Sequence, residues 1–240
     1  MPISQLAIII PVYNPPKEWA AHLLQQYNCF LQKSNETDVQ LVIINDGSTN
    51  THFTNEINSV ITQISGTVIL HNEQNRGKGY ALRKGVDSVQ ALYYLVTDVD
   101  LPYTTDSMIA VYNTLKDMKI DIAAGNRNEE YYNQVQGFRR SLSLLLRSFI
   151  KKQLQLVADD TQCGLKGFNE TGKYMFLQTT INRYLYDLEF MLKASHDISI
   201  RLQSVPVFLR NGIVLRSLPL KTLIQKSGNF LKIFLYRNKL

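Results

Sequence analysis

In the stretch LYYLVTDVDLPY, residues 92–103, an apolar run ends in two carboxylates, Asp98 and Asp100, one residue apart. Carboxylates at i and i+2 where a strand runs out can both reach one hard cation, whose oxygen shell is completed by phosphate oxygens and water. Such a pair suits a nucleotide diphosphate, because the cation acts as a Lewis acid on charge gathering at a departing nucleoside diphosphate. The competing account of the same residues is a turn cap ahead of Pro102 and the helix that follows. In INDGST, Asp46 follows another apolar run; its carboxylate can accept from a base N–H, and Gly47 allows a ligand to approach closely. The alternative there is an Asp-Gly turn with Ser48 or Thr49 capping a helix. In NEQNRGKGYALRKG, Arg76 and Lys78 alternate with Gly77 and Gly79 just before a helical stretch, a setting that favours phosphate or else forms a solvated loop. His22, His52, His71 and His196 show no metal-ligand spacing, and the aromatic residues, Trp19 included, read as core or helix-face positions rather than a nucleic-acid stacking array.

These residues need a frame. Apolar runs rich in Ile and Val recur at 6–10, 39–44, 67–70, 92–97 and 120–124, the lengths of buried strands, with helical spacing between them at about 17–33, 51–64, 78–90 and 105–118. The alternation predicts an α/β chain of βαβ units, with a parallel sheet covered on both faces. Such sheets bind ligands at the carboxyl ends of their strands. The polar motifs fall at those ends: PVYN after the first strand, NDGST after the second, NRGKG after the third and DVD after the fourth. Further on, the pattern predicts a helix with a basic start over 138–156, a short strand or turn at 162–168, a helix at 184–194 and a strand at 200–209. The end, 218–236, reads as an amphipathic helix with Leu220, Leu223, Ile224, Phe230, Leu231, Phe234 and Leu235 on one side and Lys221, Lys226, Lys232 and Arg237 on the other.

A chain of 240 residues with 45% hydrophobic and 19% charged positions can bury one substantial core. One domain over 1–210 and a basic tail over 211–240 are expected. Cys29 and Cys163 sit in no disulfide-dense pattern, which predicts a reduced, cytosolic setting. The apolar run 6–11 lacks a preceding basic region and is too short for a signal core or a membrane span, so secretion is not expected. After Asp197 there is no acidic residue, whereas eight cations from Arg201 to Lys239 exceed the whole net charge of +6. The remainder is therefore slightly acidic, which disfavours a uniformly basic nucleic-acid binder and favours a locally basic docking surface.

Taken in order and spacing over roughly residues 5–195, PVYN, NDGST, NRGKGYALRKG, DVD, GNR, DDTQCGLKGF and YDLEF resemble the family 2 glycosyltransferases of the GT-A fold. Within that family they are most like enzymes that move a sugar from a nucleotide sugar onto a polyprenyl (dolichyl or undecaprenyl) phosphate. The most specific part, DTQCGLKGF, is similar to dolichyl-phosphate β-glucosyltransferases. Pro15 and Pro16 stand where the family usually has an acidic residue after PxYN.

The resemblance implies a Rossmann-like, mainly parallel sheet with helices on both faces and a C-terminal amphipathic helix. It implies that Pro11, Tyr13 and Asn14 line a nucleoside pocket, with Asp46 reading the base beside Gly47. Asp98 and Asp100 would hold Mg²⁺ or Mn²⁺ against the diphosphate, with Arg76 and Lys78 nearby. Arg127 in GNR and Arg139 or Arg140 in GFRRS would lie close to the acceptor phosphate, which the planar guanidinium binds bidentately. Gln162, Cys163 and Gly164 are expected to face sugar or acceptor, with no nucleophilic role for Cys163. Asp187 and Glu189 offer a general base that an alcohol acceptor needs and an already anionic phosphate does not. Asp187 is placed in the site either as that base or as an organiser of an arginine or the sugar hydroxyls. The implied reaction is inverting transfer of a hexose, from UDP-glucose in preference to GDP-mannose, at the cytoplasmic face of a membrane. The basic tail would lie in the membrane interface, each cation adding about 1 kcal/mol of attraction to anionic lipid, or would pack on the core. Other readings are transfer to a hydroxyl of a soluble or lipopolysaccharide acceptor, a nucleotidyltransferase, or a non-catalytic lipid-binding module.

Overall fold

A computed structural model describes residues 3–127, 160–161, 163–183 and 185–211. Seven strands, β1 (Ser4–Val12), β2 (Val39–Asp46), β3 (Val68–Asn72), β4 (Ala91–Val96), β5 (Ile122–Arg127), β6 (Lys166–Asn169) and β7 (Leu202–Val207), form one sheet in the order β3-β2-β1-β4-β6-β5-β7. The first four run parallel, as do β5 and β7, while β6 is antiparallel to both of its neighbours. The described helices are α1 (Trp19–Ser34), α2 (His52–Gln63), α3 (Lys78–Asp87), α4 (Thr105–Met118), α5 (Glu170–Leu177) and α6 (Tyr186–His196).

The strands read as continuous apolar runs because side chains alternate between two buried faces. Ala7, Ile9, Val42, Ile44 and Val96 point to one face and pack with α3, α5 and α6. Leu6, Ile8, Ile10, Leu41 and Ile43 point to the other and pack with α1, α2 and α4, where Trp19 stacks on Phe53 with ring centroids 5.5 Å apart. The start of α1 lacks a cap of its own, so the Glu56 carboxylate on α2 accepts from the backbone N–H groups of Glu18 and Ala20 at 2.8 and 3.2 Å.

The mainly parallel α/β sheet with helices on both faces is therefore as expected. Two features were not anticipated. The short element in DTQCGLKGF is an antiparallel strand, Lys166–Asn169, and it runs straight into α5, which the hydrophobic pattern did not signal. With only eight residues and Gly172 inside it, α5 is too short to show a clear period and is held by packing: the Phe176 ring lies 5.3 Å from Phe168. Strand β5 starts at Ile122, two residues later than the expected 120. The helices expected at 138–156 and 218–236 lie outside the described residues, as does the tail beyond residue 211. Among the described residues no helix is long and apolar enough to cross a membrane.

The topology has one consequence for chemistry. Parallel strands β1 to β4 deliver Val12, Asp46, Asn72 and Val96 to one edge of the sheet, and antiparallel β6 delivers its beginning, Lys166 opposite Val96, to that same edge.

Candidate functional site

Three loops meet at the carboxyl ends of β1, β2 and β3, and two side chains hold them. Asn14, in the left-handed region at φ 46°, accepts at Oδ1 from the Thr49 N–H at 2.8 Å, the Asn50 N–H at 3.1 Å and the Thr49 hydroxyl at 3.3 Å. Its own N–H donates to Ser48 Oγ at 3.0 Å. The buried Asp46 carboxylate accepts from Asn72 Nδ2 at 2.8 Å and from the backbone N–H groups of Arg76 and Gly77 at 2.9 and 2.8 Å. A Cβ at Gly47, φ 69°, would collide with the backbone of Gln74 and Asn75, so the close approach that this glycine permits is made by the chain itself. Neither Ser48 nor Thr49 caps α2, whose N-cap residue is Thr51. Pro11 lies within β1, opposite Ile44, and Tyr13 is exposed beside the junction. Arg76 is exposed, with its guanidinium 3.7 Å from the centre of the Tyr80 ring.

The β4 side is built from charges. Lys78, the first residue of α3, places Nζ 2.5 Å from Asp98 Oδ1 and 6.0 Å from the Tyr186 ring centre. Burial alone would lower its pKa, but the negative charge of Asp98, with Tyr186 and Asp187, raises it on balance, so Lys78 is an ammonium. Asp100 is pushed above the usual carboxyl range by desolvation and then by Asp98. The two carboxylates are thus near enough to repel one another, and a divalent cation between them would relieve that repulsion. Among the described residues no group of three or more His, Cys, Asp or Glu side chains forms a metal cage. The other positions on such a cation would go to phosphate oxygens and water, the arrangement hard Mg²⁺ or Mn²⁺ accepts.

The turn that carries this pair is braced from behind. Leu101 takes φ 41°, and Arg210 donates through Nη2 to the Asp100 carbonyl at 2.7 Å and through Nε to the Leu101 carbonyl at 2.6 Å. In front, a Cβ at Gly164 would stand 2.5 Å from Asp98 Oδ2, so only glycine lets this loop lie against the carboxylate. The Gly164 N–H donates to the Tyr103 hydroxyl at 3.1 Å. Cys163, expected to face sugar or acceptor, is instead fully buried, its Sγ donating to Tyr103 Oη at 3.3 Å and its thiol pKa raised by burial. The apolar environment made by Leu165, Val207 and their neighbours claims it for the core.

Arg127, at the end of β5, forms a fork-to-fork pair with buried Asp160, Nε to Oδ2 at 2.5 Å and Nη2 to Oδ1 at 2.8 Å. Asp187 lies half-buried in the first turn of α6, its Oδ1 accepting from the Leu188 N–H at 2.9 Å. Glu189 is buried and spent: it accepts from the N–H and hydroxyl of Thr180, both at 2.9 Å, and from the Ile181 N–H at 2.8 Å. That bonding makes it a brace for the 179–182 loop. Arg139, Arg140 and Gln162 lie outside the described residues. Sequence reasoning missed Asp160, Tyr103 and Arg210. Asp160 had a signal, its place inside the DDTQCG motif; Tyr103 and Arg210 had none, since only the fold brings them to the turn.

A family model described as glycosyl transferase family 2 matches residues 7–175. Dolichyl-phosphate beta-glucosyltransferase of Dictyostelium discoideum is 26% identical over 202 residues, 79% of this chain and 62% of that one. The Homo sapiens enzyme of the same name is 25% identical over 206 residues, 79% of this chain and 63% of that one. The chain thus spans less than two thirds of the length of these relatives. Among solved structures, glucosyl-3-phosphoglycerate synthase from Mycobacterium tuberculosis, crystallised with uridine diphosphate, has a TM-score of 0.66 at 15% identity and covers 98% of this chain and 80% of its own. That enzyme has also been crystallised with Mn²⁺, uridine diphosphate and glucosyl-3-phosphoglycerate. The fold is the GT-A fold, the family model runs from β1 into α5, and the chain belongs to glycosyl transferase family 2.

Proposed function

We propose that the chain transfers glucose from UDP-glucose to a polyprenyl phosphate, with inversion at the anomeric carbon. The observation that carries this reading is the meeting, at one sheet edge, of the Asp98–Asp100 pair with the Lys78 ammonium, a charge arrangement made for a diphosphate leaving group. The dolichyl-phosphate glucosyltransferases among its relatives support the acceptor class and the sugar.

In this reading Pro11, Tyr13 and Asn14 form one wall of the nucleoside pocket, and Asp46 and Gly47 form the other. Arg76 and Lys78 meet the diphosphate, and Asp98 and Asp100 hold Mg²⁺ or Mn²⁺. The bound cation supplies Lewis-acid stabilisation of the negative charge that builds on the leaving UDP. Arg127, with Arg139, Arg140 and Gln162, receives the acceptor phosphate. A phosphate oxygen attacks the anomeric carbon from the face opposite UDP; the new C–O bond forms as the bond to the β-phosphate breaks. The attacking oxygen is already anionic, so no proton has to be removed. Asp187 then serves to orient cations and sugar hydroxyls. The basic segment over 211–240 would keep the site at the cytoplasmic face of a membrane as a peripheral anchor.

The test is an assay with UDP-glucose, GDP-mannose and UDP-N-acetylglucosamine, each with Mn²⁺ or EDTA, with and without undecaprenyl phosphate in detergent. Glucolipid formed only from UDP-glucose, with metal and prenyl phosphate both present, is the expected result. Release of UDP without consumption of prenyl phosphate would move the acceptor to a hydroxyl compound, and GDP-mannose as the sole donor would overturn the choice of sugar.

A further inference from the structure

Tyr103 ends the turn that carries the paired aspartates, and its side chain is buried in the core beneath α4. Its backbone is sewn to the segment that follows β7. Tyr103 bridges Leu209, the Thr104 N–H donates to the Phe208 carbonyl at 2.9 Å, and the Arg210 N–H donates to the Pro102 carbonyl at 2.9 Å. The ring is therefore a fixed post. A phenol oxygen can accept as well as donate, and here it accepts twice from one stretch of chain, from the Gly164 N–H at 3.1 Å and from Cys163 Sγ at 3.3 Å. That stretch is tied at two further points: Arg127 holds Asp160 before it, and the Gly125 N–H donates to the Leu165 carbonyl at 3.0 Å after it. Between these ties Gly164 lies on the Asp98 carboxylate, where a Cβ would stand 2.5 Å from Oδ2 and 3.8 Å from Lys78 Nζ. Lys78 already binds Oδ1 at 2.5 Å, so each carboxylate oxygen has a fixed neighbour. The core needs only the ring of Tyr103; its hydroxyl is used on the chain that faces Asp98.

We propose that Tyr103 is a positioning residue of the transfer site: its hydroxyl holds Gly164 against Asp98 and so keeps that carboxylate in one orientation for the divalent cation. The inference rests on the reading of this edge as the transfer site. Tyr103 touches no substrate; it acts through Gly164. The same hydrogen bond joins the two halves of the site, because the turn bearing Asp98 is thereby tied to the stretch that Arg127 anchors through Asp160.

The experiment is a double-mutant cycle on the full chain with Tyr103→Phe, Gly164→Ala and the pair of them. Mn²⁺ binding is read by calorimetry with UDP present, beside transfer activity and hydrogen exchange at the Gly164 amide without metal. Tyr103→Phe is expected to weaken Mn²⁺ binding about tenfold, to speed the Gly164 exchange, and to regain most of its kcat when Mn²⁺ is raised to saturation. Gly164→Ala, which drives a methyl group into Asp98 Oδ2, should weaken Mn²⁺ binding by about tenfold or more. The double variant should be no worse than Gly164→Ala alone, since a chain released from the hydroxyl can retreat from the carboxylate. Multiplying effects would overturn the proposal, as would a Tyr103→Phe protein that melts earlier yet binds Mn²⁺ as before. Should Tyr103→Phe fail to fold, Gly164→Ala decides alone: unchanged Mn²⁺ affinity in that variant sinks the idea, and weakened affinity with an unchanged melting temperature upholds it. If the unaltered protein binds Mn²⁺ and UDP but transfers no sugar, the functional reading fails by itself, and the Mn²⁺ titrations decide the role of Tyr103 by the same criteria. An unaltered protein that binds no Mn²⁺ with UDP present overturns the proposal outright.

Discussion

The loops after β1, β2 and β3 and the cluster around β4, β6 and α6 occupy the same sheet edge but are held by different means. On the first side, Asn14 and Asp46 bind backbone N–H groups and neutral amides, and almost every acceptor is taken. On the second, carboxylates bind cations: Asp98 with Lys78 and Asp160 with Arg127. Hydrogen bonds to the backbone fix a shape, which is what a neutral nucleoside needs. Ion pairs can re-partner when a phosphate arrives, which suits the leaving diphosphate and acceptor phosphate of the proposed reaction.

That contrast is broken most severely at the charged side. Asp100→Ala is expected to lower kcat by roughly 10³-fold. Because removing a carboxylate that Asp98 repels costs the fold little, stability should change by no more than about 0.5 kcal/mol. A titration of activity against Mn²⁺, with a thermal melt of the same sample, checks both halves. Activity within tenfold of the unaltered protein would remove Asp100 from the metal site.

The neutral side should fail differently. Asp46→Asn puts an NH₂ group against at least one of the Arg76 and Gly77 N–H donors, which leaves a buried donor unpaired and costs about 1–3 kcal/mol. The 72–77 loop then loosens, so calorimetric affinity for UDP falls more than kcat does. Equal loss of both would mean that Asp46 acts in the chemical step.

The smallest effect belongs to a charge pair outside the comparison, Asp121 with Arg201, at the opposite end of β5 from Arg127. Burial would raise the Asp121 pKa, but hydrogen bonds from Arg201 and Asn169 outweigh it and depress it. Its contribution is therefore full above the unfolded value near 3.9 and is lost as pH falls through the depressed folded value. Arg201 is more than half exposed, so Asp121→Asn should cost only about 1 kcal/mol at neutral pH, with kcat unaffected. Urea unfolding of the two proteins from pH 7 to pH 2 should bring their midpoints together; a gap that stays constant would remove the ion pair as its cause.

Much of the site was legible because its residues sit at strand ends that hydrophobic periodicity marks well: Asp46 closes VQLVIIND and Asp98 follows ALYYLV by two residues. Glu189 shows where such reading stops. A carboxylate two residues from Asp187 carries the same chemical promise on paper, yet the turn of α6 aims it at the 179–182 loop and buries it. Cys163 was misplaced for the same reason, since a motif gives order along the chain but not the face of the sheet each side chain takes.

By itself the sequence determined the α/β class, the strand ends that carry polar motifs and the paired aspartates, because alternation of buried runs with helical spacing is a local property. Only the tertiary structure decided that β6 runs antiparallel and brings Lys166 and Gly164 to the DVD turn, that Arg127 pairs with Asp160, and that Arg210 braces the aspartates from a hundred residues away. Strand direction and long-range ion pairs depend on burial and on which neighbours fill each face, and no spacing along the chain encodes them.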